Sequence, residues 1–298
     1  DTVKVGLNPE KVIVENSGTG MDSFKTFNIS TAASIVAASG NVTMARHGSR
    51  AITGTSGTVD IAERLGVDVE CSAFIVKRSI ERTGIGLFNG MSREIHPDAL
   101  GRILSQIYFG TTLNIAASLA NPAKPVYAVR GVYSKEMIIP VINAMKEIGF
   151  RRAIVMNGSI YNSHESMDEA SVCGSTISCE LSENGVIREF EFSPEDFGLG
   201  LYSPEELSPL INREEEILRF LKIITGKIRG ACFDSVLLNS ALIFYISGMT
   251  DTIHSGVELS RMLISNGSAL SKLKEWVMSQ NREPEKGKRK LEALLMRI

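Results

Sequence analysis

Long apolar runs, closely spaced cysteines and surplus charge are all missing from this sequence. No stretch approaches the ~20 apolar residues that a membrane-spanning helix needs, and no secretory leader pattern is present. Cys71, Cys173, Cys179 and Cys232 are scattered, without the tight spacing of a zinc or redox motif. They read as reduced structural thiols of a cytoplasmic protein. The net charge of −2 argues against nucleic acid and against an anionic membrane as partners. Internal repeats and low-complexity segments are absent. So are G-x-G-x-x-G, G-x-x-x-x-G-K-[ST] and the serine and cysteine nucleophile motifs. What remains is a chain of 298 residues, 43% hydrophobic and 22% charged, the balance of a globular protein with one large domain or two ordinary ones. It opens on Asp1 and not on Met, as a processed or trimmed version of a longer protein would.

Strand and helix signals alternate from the start. "KVIVEN" (11–16) is a β-branched strand ended by glycines, and "STAASIVAASG" (30–40) is a small-residue helix that Ser30 or Thr31 could cap and Gly40 could close. "NVTMARHG" (41–48) reads as strand then loop, and "SGTVDIAERLGV" (56–67) as a helix. "VYAVRGVY", "KEMIIPVINAMKEIG" and "RRAIVMNG" continue as strand, helix and strand, the rhythm of an α/β sheet. In "TISCELSENGVIREFEFSPEDFG" (176–198) Asn184-Gly185 predicts a type I′ hairpin at the edge of an otherwise parallel sheet. "DSVLLNSALIFYISG" and "TIHSGVELSRMLISNGSALSKLKEWVMSQ" read as two closing helices. The tail 281–298 is a charged hinge and a short helix, with Lys286, Lys288, Arg289 and Lys290 on a solvated face.

Three segments could do chemistry. In "SGTGMDSF" Gly18 and Gly20 let backbone N–H groups approach a ligand, and the start of the next helix adds unpaired donors beside Asn28, Ser30 and Thr31. This fits a phosphate; it fits a plain strand-to-helix turn equally well. In "ARHGSRAITGTSG" Arg46, His47 and Arg50 bracket Gly48, with Thr53, Thr55, Ser56 and Thr58 following. Arginines beside flexible backbone suit a phosphate or pyrophosphate, and the bland alternative is a solvated loop. Asp168-Glu169 could hold a hard cation such as Mg²⁺, or could simply open a helix.

Together these segments resemble the anthranilate phosphoribosyltransferase family, from about Val12 to Val277. The family's Gly-Thr-Gly-Gly-Asp stands here as Gly18-Thr19-Gly20-Met21-Asp22, and its Asn-x-Ser-Thr as Asn28-Ile29-Ser30-Thr31. Its Lys-His-Gly-Asn-Arg stands as Arg46-His47-Gly48-Ser49-Arg50. "NPA" (121–123), Asp168-Glu169, "SPEDFGL" (193–199) and "VLLNSALIFYISG" follow in order. The resemblance implies an α/β domain over 1–280 with a mostly parallel central sheet, an antiparallel hairpin and helices on both faces, and a possible small helical subdomain or hinge near 92–120. It implies phosphoribosyl pyrophosphate as donor, held by Gly18, Thr19, Gly20, Asp22, Asn28, Ser30, Thr31, Arg46, His47, Gly48 and Thr53. Ser30, Asp168 and Glu169 would order Mg²⁺. A biosynthetic, cytoplasmic homodimer is implied, with no membrane partner and no acid or base assigned.

Departures from the family pattern shape the rest of the expectation. Met21 replaces a loop glycine and Ser49 replaces an Asn. Leu104 and Gly110 fall where the family carries arginines for the acceptor carboxylate, with Arg102 two positions away. Loss of such an arginine pair costs ~2–5 kcal/mol. The acceptor pocket, placed at His47, Ser49, Arg102 and Leu104, is therefore expected to take a small aromatic or nitrogenous molecule other than anthranilate. Anthranilate itself, in tryptophan biosynthesis, is the alternative. A non-catalytic nucleotide- or partner-binding paralogue is another, supported by Met21 and by "NGSIYNSHES" (157–166). The pyrimidine nucleoside phosphorylases share the architecture, but "SPEDFGL" and "NPA" favour the transferase side. The family's N-terminal helical domain is expected to be missing or truncated.

Overall fold

A computed structural model describes residues 2–8, 11–51, 57–98, 103, 106 and 111–298. Thr53, Arg102, Leu104 and Gly110, named above, lie outside the described residues. Five β-rich segments form parallel strands: β1 (Ile13–Ser17), β2 (Thr43–Gly48), β3 (Ile85–Asn89), β4 (Tyr127–Gly131) and β5 (Arg152–Ser159). Their order in the sheet is β3-β2-β1-β4-β5. Beyond β5 the sheet turns antiparallel, through β6 (Ser166–Met167), β7 (Thr176–Leu181) and the edge strand β8 (Ile187–Phe192).

Ten helices are described: α1 (Ile29–Ser39), α2 (Thr58–Leu65), α3 (Ala73–Thr83), α4 (Thr112–Ser118), α5 (Ile138–Ile148), α6 (Arg213–Ile224), α7 (Ala231–Ser247), α8 (Ile253–Ser265), α9 (Ser268–Ser279) and α10 (Pro284–Leu295). The period of two along each strand sorts side chains between two faces. On one face Val14, Met44, Leu87, Val129 and Ile154 pack with α1, α7, α8 and α9. On the other, Ala45 and Phe88 meet α3, while Ala128, Ala153 and Val155 meet α5. α7 is buried all round, with only Tyr245 and Ser247 escaping, so it runs through the core. No described helix is long and apolar enough to cross a membrane.

Several local expectations need correction. The hairpin turn is not type I′: Gly185 donates to the Ser182 carbonyl at 2.8 Å and has φ +79°, while Asn184 keeps a negative φ. With three loop residues, a type I turn closed by one left-handed glycine fits the strand twist. The segment from Thr252 to Gln280 is two helices, because Gly267 adopts φ +82° between α8 and α9. Asn28, not Ser30 or Thr31, caps α1, its side chain accepting the Thr31 N–H at 3.0 Å. Arg46 and His47 lie inside β2 and not in the loop after it, so they point to opposite faces of the sheet.

Candidate active site

The order β3-β2-β1-β4-β5 reverses direction between β1 and β4, and ligands of open α/β sheets bind at the carboxyl ends of the strands flanking such a point. A cleft of about 1260 Å³, part of it open to solvent, lies there. One wall is the glycine loop that follows β1. The opposite wall includes His47, Asn114 and Ser118.

Asp168 is the hinge of the glycine-loop wall. Its carboxylate accepts the Gly20 N–H at 2.6 Å and the Thr19 hydroxyl at 3.1 Å. Two glycines make this approach possible. A Cβ on Gly18 would collide with the Asp168 carboxyl group, and one on Gly131 at the end of β4 would overlap its backbone. The acidic doublet does not open a helix; it follows the short strand β6. From the far side the buried Asn239 of α7 grips Ala170, accepting its N–H at 3.0 Å and donating to its carbonyl at 3.0 Å. The "VLLNSALIFYISG" segment thus fixes the doublet through a side chain that sequence pattern alone reads as core.

The cleft strains its own carboxylates. Burial, then the neighbouring Asp168, pushes Asp22 up to about 7, against its ion pair with Lys25 at 2.7 Å. Burial raises Asp168 despite the bonds from Gly20 and Thr19. Burial and Asp168 push Glu169 well above the usual carboxylate range, opposed by Arg46 and by the Ser30 N–H. A cation entering the cleft would relieve this repulsion. Among the described residues no three His, Cys, Asp or Glu side chains converge as a metal cage. Mg²⁺ does not ask for one, since it takes one or two carboxylates and keeps water and phosphate oxygens. Asp168 and Glu169 beside Ser30 fit that donor set.

The structure places most of the expected residues together. Gly18, Thr19, Gly20, Asp22, Asn28, Ser30, His47, Gly48, Ser49, Asp168 and Glu169 all line the one cleft. Arg50 lines it as well, so Arg50 and Asp168 share a cleft, but the Arg50 guanidinium is held by Asp60, Glu63 and Glu70 at 3.1, 2.8 and 3.2 Å. Arg46 and Thr31 stand behind the wall instead of in it. Arg46 is buried and donates to Thr31 Oγ1 at 2.6 Å and Ser30 Oγ at 2.8 Å, which ties the first turn of α1 to β2. Burial lowers it to about 10, partly offset by Glu169 and Glu15. Its reach is spent on α1, so its contribution to the cleft is charge and support and not a direct ligand contact.

His47 turns to the other face and meets His96, their Nε2 atoms 3.0 Å apart and the rings edge to face. Burial, then His96 and Arg130, lowers His47 to about 3, so it is a neutral group at neutral pH. Thr58, one of the hydroxyls named above, lines the cleft, and sequence reasoning missed Lys25, Met91, Asn114 and Ser118 as cleft residues. The spacing of Asn114 and Ser118 puts them on one helix face, the one signal that could have paired them.

Comparison with known proteins agrees with this geometry. Residues 10–270 match the family described as glycosyl transferase family, a/b domain. The anthranilate phosphoribosyltransferase of Rubrobacter xylanophilus is 35% identical over 92% of this chain and 78% of its own length. That of Haloarcula marismortui is 33% identical over 89% and 78%. Among solved structures, anthranilate phosphoribosyltransferase from Thermus thermophilus superposes with TM-score 0.82 at 29% identity, over 94% of this chain and 80% of that one. The enzyme from Saccharomyces cerevisiae in complex with PRPP and Mg superposes with TM-score 0.80 at 24% identity, over 94% and 76%. None of this confirms the missing N-terminal helical domain expected above. The fold, the cleft at its topological switch point and these similarities place the chain in the anthranilate phosphoribosyltransferase family, as a phosphoribosyl-transferring enzyme.

Proposed function

We propose that this protein transfers the phosphoribosyl group of phosphoribosyl pyrophosphate to anthranilate in a Mg²⁺-dependent reaction. The observation that carries the reading is the capture of Asp168 by Thr19 and Gly20, which joins the acidic doublet and the glycine loop into one cradle. The expectation of a different acceptor gives way. The relatives reported above are anthranilate enzymes, and a Saccharomyces cerevisiae structure of that name is in complex with 4-fluoroanthranilate. The positions that prompted it, 102, 104 and 110, lie outside the described residues. A cytoplasmic homodimer accompanies this reading, as the family resemblance implies.

In the reaction the anthranilate nitrogen bonds to C1 of the ribose, the bond from C1 to the pyrophosphate oxygen breaks, and the amine proton leaves to solvent. Positive charge grows on the sugar and negative charge on the leaving group. Mg²⁺, held by Asp168 and Glu169 with Ser30 nearby, would neutralise that leaving charge. The chain supplies the rest. The glycine loop, whose missing Cβ atoms let a ligand approach, and the Lys25, Asn28 and Ser30 side chains that line the cleft orient phosphate oxygens. Neutral His47 and the α4 face bound the space for the acceptor. Orientation of the two reactants accounts for most of the catalysis asked of the protein.

The test follows anthranilate fluorescence and pyrophosphate release with PRPP and Mg²⁺. Turnover is expected, falling about 10–100-fold or more in Asp168→Asn. PRPP binding without loss of anthranilate would overturn the acceptor; no PRPP binding at millimolar concentration would overturn the donor.

A further inference from the structure

We infer that Arg130, paired with Glu15, is a positioning residue that sets the acceptor wall of the cleft and leaves the donor cradle to other contacts; the inference rests on the transferase reading above. Both side chains are 1% exposed and form an ion pair between β4, near its end, and the middle of β1. An ion pair this deep carries a large desolvation cost, and apolar residues would fill a sheet interior as well or better. Its use must lie in the bonds it makes.

All but one of those bonds bear on one segment; the exception is the Ser17 hydroxyl at the end of β1, which donates to Glu15 Oε1 at 3.2 Å. The Arg130 guanidinium donates to Ser118 Oγ at 2.7 Å and to the Ser118 carbonyl at 3.2 Å. The second oxygen of Glu15 accepts from Asn121 Nδ2 at 2.8 Å, and the same amide donates to the Ala45 carbonyl at 2.8 Å. Three strands, β1, β2 and β4, therefore grip residues 118 and 121, at the close of α4 and in the turn after it. α4 has seven residues and cannot persist without tertiary support. It presents Asn114, Ala117 and Ser118 to the cleft. The donor cradle, by contrast, is tied by Thr19, Gly20 and Asn239. Removing the clamp frees the α4 wall and leaves the cradle in place.

The experiment uses the full chain and a Glu15→Gln/Arg130→Met double variant, which removes both buried charges at once. Amide hydrogen exchange over residues 112–120 is expected to quicken at least tenfold, with residues 18–31 unchanged. This readout needs no substrate, so it stands even if the transferase reading fails. With PRPP, Mg²⁺ and anthranilate as probes, KM for anthranilate is expected to rise at least tenfold while Kd for PRPP stays within about twofold. Arg130→Lys, which keeps the charge and loses the fork, covers the case in which the double variant does not fold, and should fall between it and wild type. Unaltered exchange in 112–120 overturns the clamp. Equal losses for anthranilate and PRPP overturn its restriction to the acceptor side.

Discussion

The two walls of the cleft are held by different means. The glycine-loop wall rests on backbone donors and on glycines that leave room for Asp168, a contact made across some 148 residues of chain. The α4 wall rests on buried side chains, Glu15, Arg130, Ser118 and Asn121, meeting in the sheet interior. Backbone donors and a missing Cβ cannot be replaced by another side chain. A side-chain clamp can.

The sharpest way to break the comparison is at Gly18. Gly18→Ala puts a methyl group where the Asp168 carboxyl sits, and displacement of a catalytic group by about 1 Å costs on the order of 100-fold in rate. Steady-state kinetics should show that loss in kcat/KM, with weaker PRPP binding in calorimetry. Normal PRPP affinity would mean that the cradle is not where the donor binds.

A smaller effect is expected at Asn239, whose side chain holds Ala170 from within α7. Asn239→Ala leaves buried Ala170 groups unpaired and should cost about 1–3 kcal/mol in denaturant unfolding. It should also weaken Mg²⁺ binding, because the doublet is adjacent. Loss of stability with metal affinity untouched would separate Asn239 from the site.

The smallest effect, taken over one pH unit, concerns His47. Burial holds His47 at about 3, below the ordinary value of 6.5, so the folded protein binds fewer protons than the unfolded chain across that interval. Stability is therefore whole above about pH 6.5 and is lost as pH falls toward 3, by at most about 1.4 kcal/mol per pH unit from this group. Denaturation at pH 7, 6, 5 and 4 should show that slope, and His47→Gln should flatten it. An identical slope in the variant would place the titration elsewhere.

Part of the glycine-loop wall was legible because it is local. Gly18, Gly20, Asn28 and Ser30 sit within thirteen residues and glycine freedom is a property of residue type, but the cap of α1 fell on Asn28 and not on Ser30 or Thr31 as expected. The doublet was legible only as a candidate, since its meaning depends on contact with a loop some 148 residues away. Arg46 was misplaced because one residue of register in β2 decides which face it serves.

Sequence by itself settled the α/β alternation and the presence of an edge hairpin, because strand period and turn residues act over a few residues. Tertiary structure alone decided that Arg46 supports α1, that His47 meets His96, and that Arg130 grips Ser118. Such pairings follow from strand order and from the burial of charge, and neither is written in any short stretch of chain.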